Sequence, residues 1–535
     1  MASRRFWSSL IWAAAVSGCA VGPEYRTPES TTPATWSGIE PAKSSTQPAG
    51  PSTRPAEVTA WWRSLNDPVL NSLVERAVQS NLDLRVAEAR ITEARAARGV
   101  VAADLWPQGN LGGSYTYRGG SLNTGPKSEG GLSVGRQVRN SAINSGVRWL
   151  TTVLSGGTTT PTTLAGALGQ AVSTTVSNRL AGSGPTASRD QNLFQAGFDA
   201  SWELDVFGGT RRAIEAADAD LAASEETHRD VLVTLLSEVA LNYVQLRGFQ
   251  RRLAITQENI RIQQDTLELT QTRHKAGFIG KLDVAQAAAQ LASTQSQVPL
   301  LKTAIKQTIY QPSVLLAKSP GALLPELERE GPIPATVPEV PIGLPSDLLR
   351  RRPDIRAAER QLAAATARIG VATADLFPKF SLTGSFGPQS RTINRMLDRQ
   401  SLAWSVGPGV TWPVFDGWRI RSNIKVEDAR QEQALATYEQ TVLIAFQEVE
   451  NALAAYTDEQ VRHQFLAEAV AASQESTALS NEQYAAGFTA FLNVLDAQRT
   501  LYASQDQLVQ SETTMVTNLI ALYKALGGGW EPVEE

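Results

Sequence analysis

The feature that most limits the fold of this chain is an internal duplication. Ala87-Glu88 recurs as Ala358-Glu359, Gly99-Val100 as Gly370-Val371, Asp104-Leu105-Trp106-Pro107 as Asp375-Leu376-Phe377-Pro378, and Gly113-Ser114-Tyr115 as Gly384-Ser385-Phe386, every pair 271 positions apart. Further on, Val206-Phe207-x-Gly209-x-Arg211 returns as Val414-Phe415-x-Gly417-x-Arg419 at 208 positions. Ala276-Gly277-Phe278 and Leu282-x-Val284 return as Ala486-Gly487-Phe488 and Leu492-x-Val494 at 210. Constant offsets of this kind mark two copies of one structural unit. The drop from 271 to 208 leaves an excess of 63 residues in the first copy, within about Arg118 to Asn192, where Gly, Ser, Thr and small apolar residues dominate.

Each copy has the same order of signals. A helix is predicted over about 69–104 and again over 354–375, each stopped by Pro107 or Pro378. Strands follow. Phe194, Ala196, Phe198, Ala200, Trp202 and Leu204 alternate with polar or small residues, as do Phe380, Leu382, Gly384 and Phe386, and then Trp404, Val406, Val410 and Trp412. That is the period of a half-buried strand. The partner of the 194–204 strand has a weaker pattern, about Asn110 to Tyr117, and Pro408 fits a strand only at an edge or bulge. Two very long helices come next. Arg419 to Ala486 holds no Gly or Pro, and Thr210 to Ala276 holds one Gly, Gly248, and no Pro. At 1.5 Å per residue each is on the order of 100 Å long. Gly277 and Gly487 mark sharp helix ends, after which a shorter helix returns.

Four strands cannot close a barrel, since the smallest membrane barrels need about eight. Their apolar–polar alternation, with Trp and Phe near the strand ends, is nevertheless what a lipid-facing wall requires. Several chains sharing one barrel reconcile the two, and three copies would supply twelve strands. The chain ends support a membrane address. Arg4-Arg5, a short apolar run from Phe6 to Val16, and Ser17-Gly18-Cys19 read as a secretory signal. Val16-Ser17-Gly18-Cys19 resembles a bacterial lipobox, which makes Cys19 the expected lipidated N-terminus and Ala20 after it consistent with delivery to the outer membrane. Several acyl chains make a firm anchor. Residues from about Thr27 to Ala60, rich in Pro, Ser, Thr and Gly, read as an extended tether.

Composition removes other classes. One Cys excludes a disulfide framework and a Cys-cluster metal site, and the three His residues, His228, His274 and His463, have no zinc-ligand spacing. A net charge of −4 with no long basic run leaves no footprint for nucleic acid. No nucleophile–base constellation or nucleotide motif is visible, so no enzyme and no cofactor are expected. Gly527-Gly528-Gly529 lacks the preceding strand and following Lys-Ser/Thr of a phosphate loop and reads as a helix stop. Arg350-Arg351-Arg352 reads as structural, with Ser346 or Asp347 as a helix cap and Pro353 in the first turn of the next helix.

Several strings carry a resemblance to a known family. They are Cys19 with Val21-Gly22-Pro23-Glu24-Tyr25; Trp61-Trp62 with Asp67-Pro68; Gly343-Leu344-Pro345-Ser346-Asp347-Leu348-Leu349-Arg350-Arg351-Arg352-Pro353-Asp354-Ile355; Glu448-Val449-Glu450-Asn451-Ala452-Leu453; Leu495-Asp496-Ala497-Gln498-Arg499; and Leu522 to Trp530. The chain resembles the outer membrane factor family (TolC/OprM-like, NodT-type lipoprotein branch). The resemblance implies a mainly α fold with membrane β: a trimeric 12-stranded β-barrel, four strands per chain, continued by a 12-helix periplasmic α-barrel. It also implies passive efflux of drugs or toxic compounds in a tripartite pump, with a periplasmic adaptor and an inner-membrane transporter of the resistance-nodulation-division (RND) type. Matching the second-copy motif puts the periplasmic gate at Leu492, an acidic ring at Asp496 and a gate tyrosine at Tyr484, with adaptor contact at the Gly277 and Gly487 tips. The family's usual Arg before that Tyr is Gln483 here, so the usual latch is expected to be lost, with Arg273-His274 of the first copy as a partial replacement.

The expected organisation is a signal peptide over 1–18, a lipidated tether over 19–60, a first repeat over 61–320 with an extracellular insert at about 118–192, a Pro-rich linker over 321–345, a second repeat over 346–530 and a tail over 531–535. Two other functions fit less of the sequence: a type I protein-secretion conduit, and a non-transporting coiled-coil envelope lipoprotein, against which the alternating strands argue.

Overall fold

A computed structural model describes residues 20–28, 36, 58–119, 190–334 and 345–531. Cys19, the signal segment, most of the tether and nearly all of the first-copy insert lie outside the described residues. The elements run α1 (Pro68–Ser80), α2 (Leu82–Ala103), β1 (Gln108–Gly119), β2 (Asp190–Leu204), α3 (Gly209–Lys275), α4 (Lys281–Leu315), α5 (Leu324–Leu327), α6 (Pro345–Arg351), α7 (Pro353–Ala374), β3 (Lys379–Ser390), β4 (Leu402–Thr411), α8 (Arg419–Ala485) and α9 (Phe491–Ala525). The fold is mostly helical with one small sheet. The long helices α3 and α8 have 67 residues each, and the returning helices α4 and α9 have 35 each.

Two compact units interleave along the sequence. Among the described residues one gathers 20–25, 97–119, 190–217 and 366–429, and the other gathers 26–28, 36, 58–96, 218–334, 345–365 and 430–531.

The first unit is built on a four-stranded antiparallel sheet in the order β1-β2-β3-β4. Aromatic and aliphatic residues fall on one register row after another: Leu111 faces Phe198, Phe198 faces Phe386, and Phe386 faces Trp404. These side chains stay exposed in the single chain, as do Tyr115, Val406 and Val410. Pro408, in edge strand β4, sits opposite Leu382 without interrupting the ladder. In both copies an indole ties the strand end to the preceding helix. Trp202 Nε1 donates to the Leu105 carbonyl at 2.8 Å, and Trp412 Nε1 to the Leu376 carbonyl at 3.0 Å.

The second unit holds the main core, where Leu70, Leu73, Val74 and Ala77 of α1 pack with Leu236, Val239, Tyr243 and Ile309. The Trp61-Trp62-Asp67-Pro68 motif is the clamp of that core. Trp61 is fully buried and stacks on Tyr523 at 5.4 Å. Asp67 caps α1, accepting from the Val69 and Leu70 amides at 2.9 and 3.1 Å and from the Tyr243 hydroxyl at 2.6 Å, and Pro68 occupies the first helical position. The single helix expected over 69–104 is two helices. Asn81 stops α1 and its side chain starts α2, with Oδ1 accepting from the Leu84 amide at 2.9 Å and Nδ2 donating to the Leu315 carbonyl at 3.0 Å.

The Arg350-Arg351-Arg352 run is structural. Arg352 is buried and donates to both carboxylate oxygens of Asp354, to Glu448 and to the Ala525 carbonyl. The Arg351 carbonyl accepts from Trp530 Nε1 at 3.0 Å. Three of the motif strings therefore meet at one place and close the chain's C-terminal end. Ser346 and Asp347 lie inside the first turn of α6 and not at its cap, because the helix begins at Pro345. Gly248 lies in the middle of α3, and a Cβ there would collide with Thr513 of α9, so the helices approach closely.

Candidate functional site

The two helix hairpins, α3–α4 and α8–α9, end in turns of the same construction. At the first, the Gly277 amide donates to the His274 carbonyl at 2.9 Å and the Phe278 amide to the Arg273 carbonyl at 3.0 Å. At the second, the Gly487 amide donates to Tyr484 at 3.1 Å and the Phe488 amide to Gln483 at 2.9 Å. This is the pair of bonds by which a left-handed residue satisfies the last free carbonyls of a helix. Gly277 and Gly487 have φ of 81° and 82°, and a Cβ at either position would meet nothing. Backbone conformation alone, not crowding, calls for glycine there. Phe278 and Phe488, the residues after them, are strongly exposed.

The hairpins are joined just before these turns. Arg273, near the end of α3, lies over the Tyr484 ring with its guanidinium carbon 4.7 Å from the centroid. Its two terminal nitrogens donate to the Tyr484 and Ala485 carbonyls at 2.9 and 2.8 Å. One rigid fork thus satisfies two carbonyls at the end of α8 and covers the ring beside them. Tyr484 is buried against Phe491 at 5.6 Å, in a small core with Ala287, Val494 and Leu495. Its hydroxyl is buried and has no hydrogen-bond partner among the described residues. The cation beside Tyr484 comes from the other copy. Arg273 occupies in the first copy the place that Gln483 occupies in the second. His274 is exposed, and its Nδ1 lies 2.9 Å from the Ile279 carbonyl within its own turn.

Leu492 and Asp496 stand one turn apart on α9, on the same helix face, and both are exposed in the single chain. Asp496 opens onto a groove of about 450 Å³ between α8 and α9, with Ser473, Ser476, Ser480, Asn493 and Thr500. Ala472 and Ala497 complete the lining, which includes no cation. The structure brings Tyr484 and Arg273 together and leaves Leu492 and Asp496 apart from both, facing away from the chain's own core. Among the described residues there is no cluster of His, Cys, Asp and Glu able to hold a metal ion, and no helix is long and apolar enough to cross a membrane, which says nothing of a β-barrel.

Comparison with known proteins agrees over nearly the whole chain. The profile of the outer membrane efflux protein family matches residues 165–311 and 344–528. Nodulation protein T of Rhizobium leguminosarum bv. trifolii is 31% identical over 520 residues, which cover 97% of this chain and 96% of that protein. The pyoverdine export outer membrane protein OpmQ of Pseudomonas aeruginosa is 32% identical over 480 residues, 89% of this chain and 88% of that protein. The solved structure of the outer-membrane channel OprN superposes with a TM-score of 0.79 at 34% identity, covering 96% of this chain and 100% of that one.

Proposed function

The chain belongs to the outer membrane efflux protein family, and from that premise we propose that three copies form a gated tube that passively conducts drugs or other toxic compounds from the periplasm to the exterior. The observation that carries this reading is the open sheet. Four strands with an exposed aromatic face and two unpaired edges are stable only if the face meets lipid and the edges meet other strands. Three chains then give a 12-stranded barrel, and the helix hairpins of three chains give a 12-helix periplasmic barrel. Cys19 carries the lipid anchor. Passive conduction needs no nucleotide or cofactor on this chain, so the driving force comes from a partner, an RND-type inner-membrane transporter reached through a periplasmic adaptor.

The gate lies at the tips. Three Leu492 side chains narrow the pore, and three Asp496 carboxylates one turn away focus negative potential there, which favours cations at the constriction. Tyr484 and Arg273 hold α8 against α3 and keep the tip closed. The Gly277 and Gly487 turns, with Phe278 and Phe488 displayed beyond them, are the adaptor contact. In-cell photo-crosslinking from positions 278 and 488 tests the assembly. It is expected to retain a periplasmic adaptor whose own partner is the pump. Capture of no envelope protein from either tip, with the trimer intact, would contradict the tripartite reading.

A further inference from the structure

Beyond the Pro388–Leu402 pair the chain turns from β3 to β4 through residues 391–401, at the end of the sheet away from the helices. This loop is folded on itself. It contains two short 3-10 turns, Ile393–Arg395 and Arg399–Ser401. Ser390 Oγ accepts from the Thr392 amide at 3.2 Å and donates to the Thr392 carbonyl at 2.8 Å, and the Ser401 hydroxyl donates to the Arg395 carbonyl at 2.6 Å. With the backbone so occupied, the loop displays a pattern of cations and apolar groups at every second position: Arg391, Ile393, Arg395, Leu397 and Arg399. All five are exposed, and Leu397, at 95%, is the most exposed large hydrophobic residue among those described. None of the three guanidinium groups has a hydrogen bond or ion pair among the described residues. Asp398 is the one acid between Arg391 and Arg399, so this stretch carries +2 in a chain of net charge −4.

The height of the loop follows from the strand below it. The exposed apolar row of β4 runs from Trp412, beside the helices, through Val410, Val406 and Trp404 to Leu402. Ten residues at about 3.3 Å each, tilted by about 40°, rise about 25 Å. That equals the apolar band of a membrane barrel, about 25 Å. The loop therefore begins where the apolar band ends, at the outer headgroups. Single apolar side chains separated by cations make no contiguous apolar patch of the kind that a protein partner covers. They suit a boundary that is apolar at one depth and anionic at the next. The fork of an arginine matches phosphate in particular.

We propose that the β3–β4 loop binds the phosphorylated glycolipid of the outer leaflet, with Arg391, Arg395 and Arg399 on its phosphate groups and Ile393 and Leu397 at the acyl boundary. The proposal rests on the barrel reading above, which sets the depth of the loop. It makes the loop a clamp on the surrounding lipid, separate from the conduction path.

Native mass measurement of purified trimers titrated with bisphosphorylated lipid A, and with lipid A stripped of its phosphates, tests it. The unaltered trimer is expected to prefer the phosphorylated lipid. A cation at an anionic surface contributes about fivefold, so Arg391→Gln, Arg395→Gln and Arg399→Gln together should weaken that binding about a hundredfold. The same triple change should leave binding of the stripped lipid unaltered. Lys302→Gln, Lys306→Gln and Lys318→Gln, three exposed cations on and just beyond α4, remove the same charge elsewhere and should leave both unaltered. Arg395→Gln alone, with an expected loss of about fivefold, covers a triple variant that fails to assemble. No preference for the phosphorylated lipid in the unaltered trimer would overturn the proposal. So would equal binding by the parent and the arginine triple variant, as when another part of the chain covers the loop, or an equal loss in the lysine variant. A monomer by native mass in the unaltered protein would instead overturn the trimeric reading.

Discussion

Arg273→Ala removes a side chain whose fork ties the end of α8 to α3. It loses two hydrogen bonds, to the Tyr484 and Ala485 carbonyls, and a cation lying 4.7 Å from the Tyr484 ring centroid. Arg273 is half-buried, so each bond contributes about 1 kcal/mol or less and the ring contact about 0.5 kcal/mol. A loss of about 2 kcal/mol favours separation of the tip helices roughly thirtyfold, taking 1.4 kcal/mol per factor of ten. Hydrogen exchange reads this directly. The Gly487 and Phe488 amides close the α8 turn and exchange only when it opens, so their rates should rise by about the same factor in the variant. Arg273→Lys keeps the charge but not the fork and should fall between the two. In bilayers the Ala variant should show larger or more frequent openings than the parent. A change under about threefold at Gly487 and Phe488, with unaltered conductance, would refute the idea that Arg273 holds the tip.

Asp496→Ala should raise the leak conductance of the trimer and reduce its preference for cations, and unchanged single-channel conductance with unchanged drug sensitivity would sink the assignment of Asp496 to the gate. Burial, and next the charge of Asp354, holds the Asp230 carboxyl above its ordinary value of 3.8. A raised folded-state value means that folding favours the protonated acid, so stability falls as pH rises from 3.8 through the raised value. Asp230→Asn should therefore raise the thermal midpoint at pH 7 and lose that advantage in acid, whereas a lower midpoint at pH 7 would show Asp230 to be a net stabilising charge. Deleting residues 124–184 should leave trimers intact on native mass measurement, because β1 pairs with β2 over its full length without them, and loss of assembly would assign the insert a structural role.

Much of the fold was legible because the residues that build it are periodic. Strand alternation, the Gly- and Pro-free runs and the glycines at 277 and 487 each report local backbone physics, and the structure places elements close to the expected bounds. The break at Asn81 was missed because apolar spacing continues through it. A side chain that caps one helix and bonds Leu315 depends on a partner far away in sequence, although an Asn at that position was a local signal that could have been weighed more heavily. The contact at the hairpin tips was harder to read. A copied motif points to position 483, and finding Gln there implies a lost cation. Arg273 of the first copy was legible as its partial replacement, and tertiary packing adds how it acts, over the Tyr484 ring and on the Tyr484 and Ala485 carbonyls. The motif strings most specific to the family, Trp61 to Pro68 and Gly343 to Ile355, turned out to close the core and the C-terminus.

Assembled copies that form a conduit must carry ions. Purified trimers reconstituted in planar lipid bilayers measure it. Discrete ion-conducting steps are expected, cation-preferring and mostly closed in the parent protein, and more open when Arg273 or Asp496 is replaced. Stable trimers that insert and conduct nothing, in the parent and in both variants, would contradict it and favour a structural spacer of the envelope.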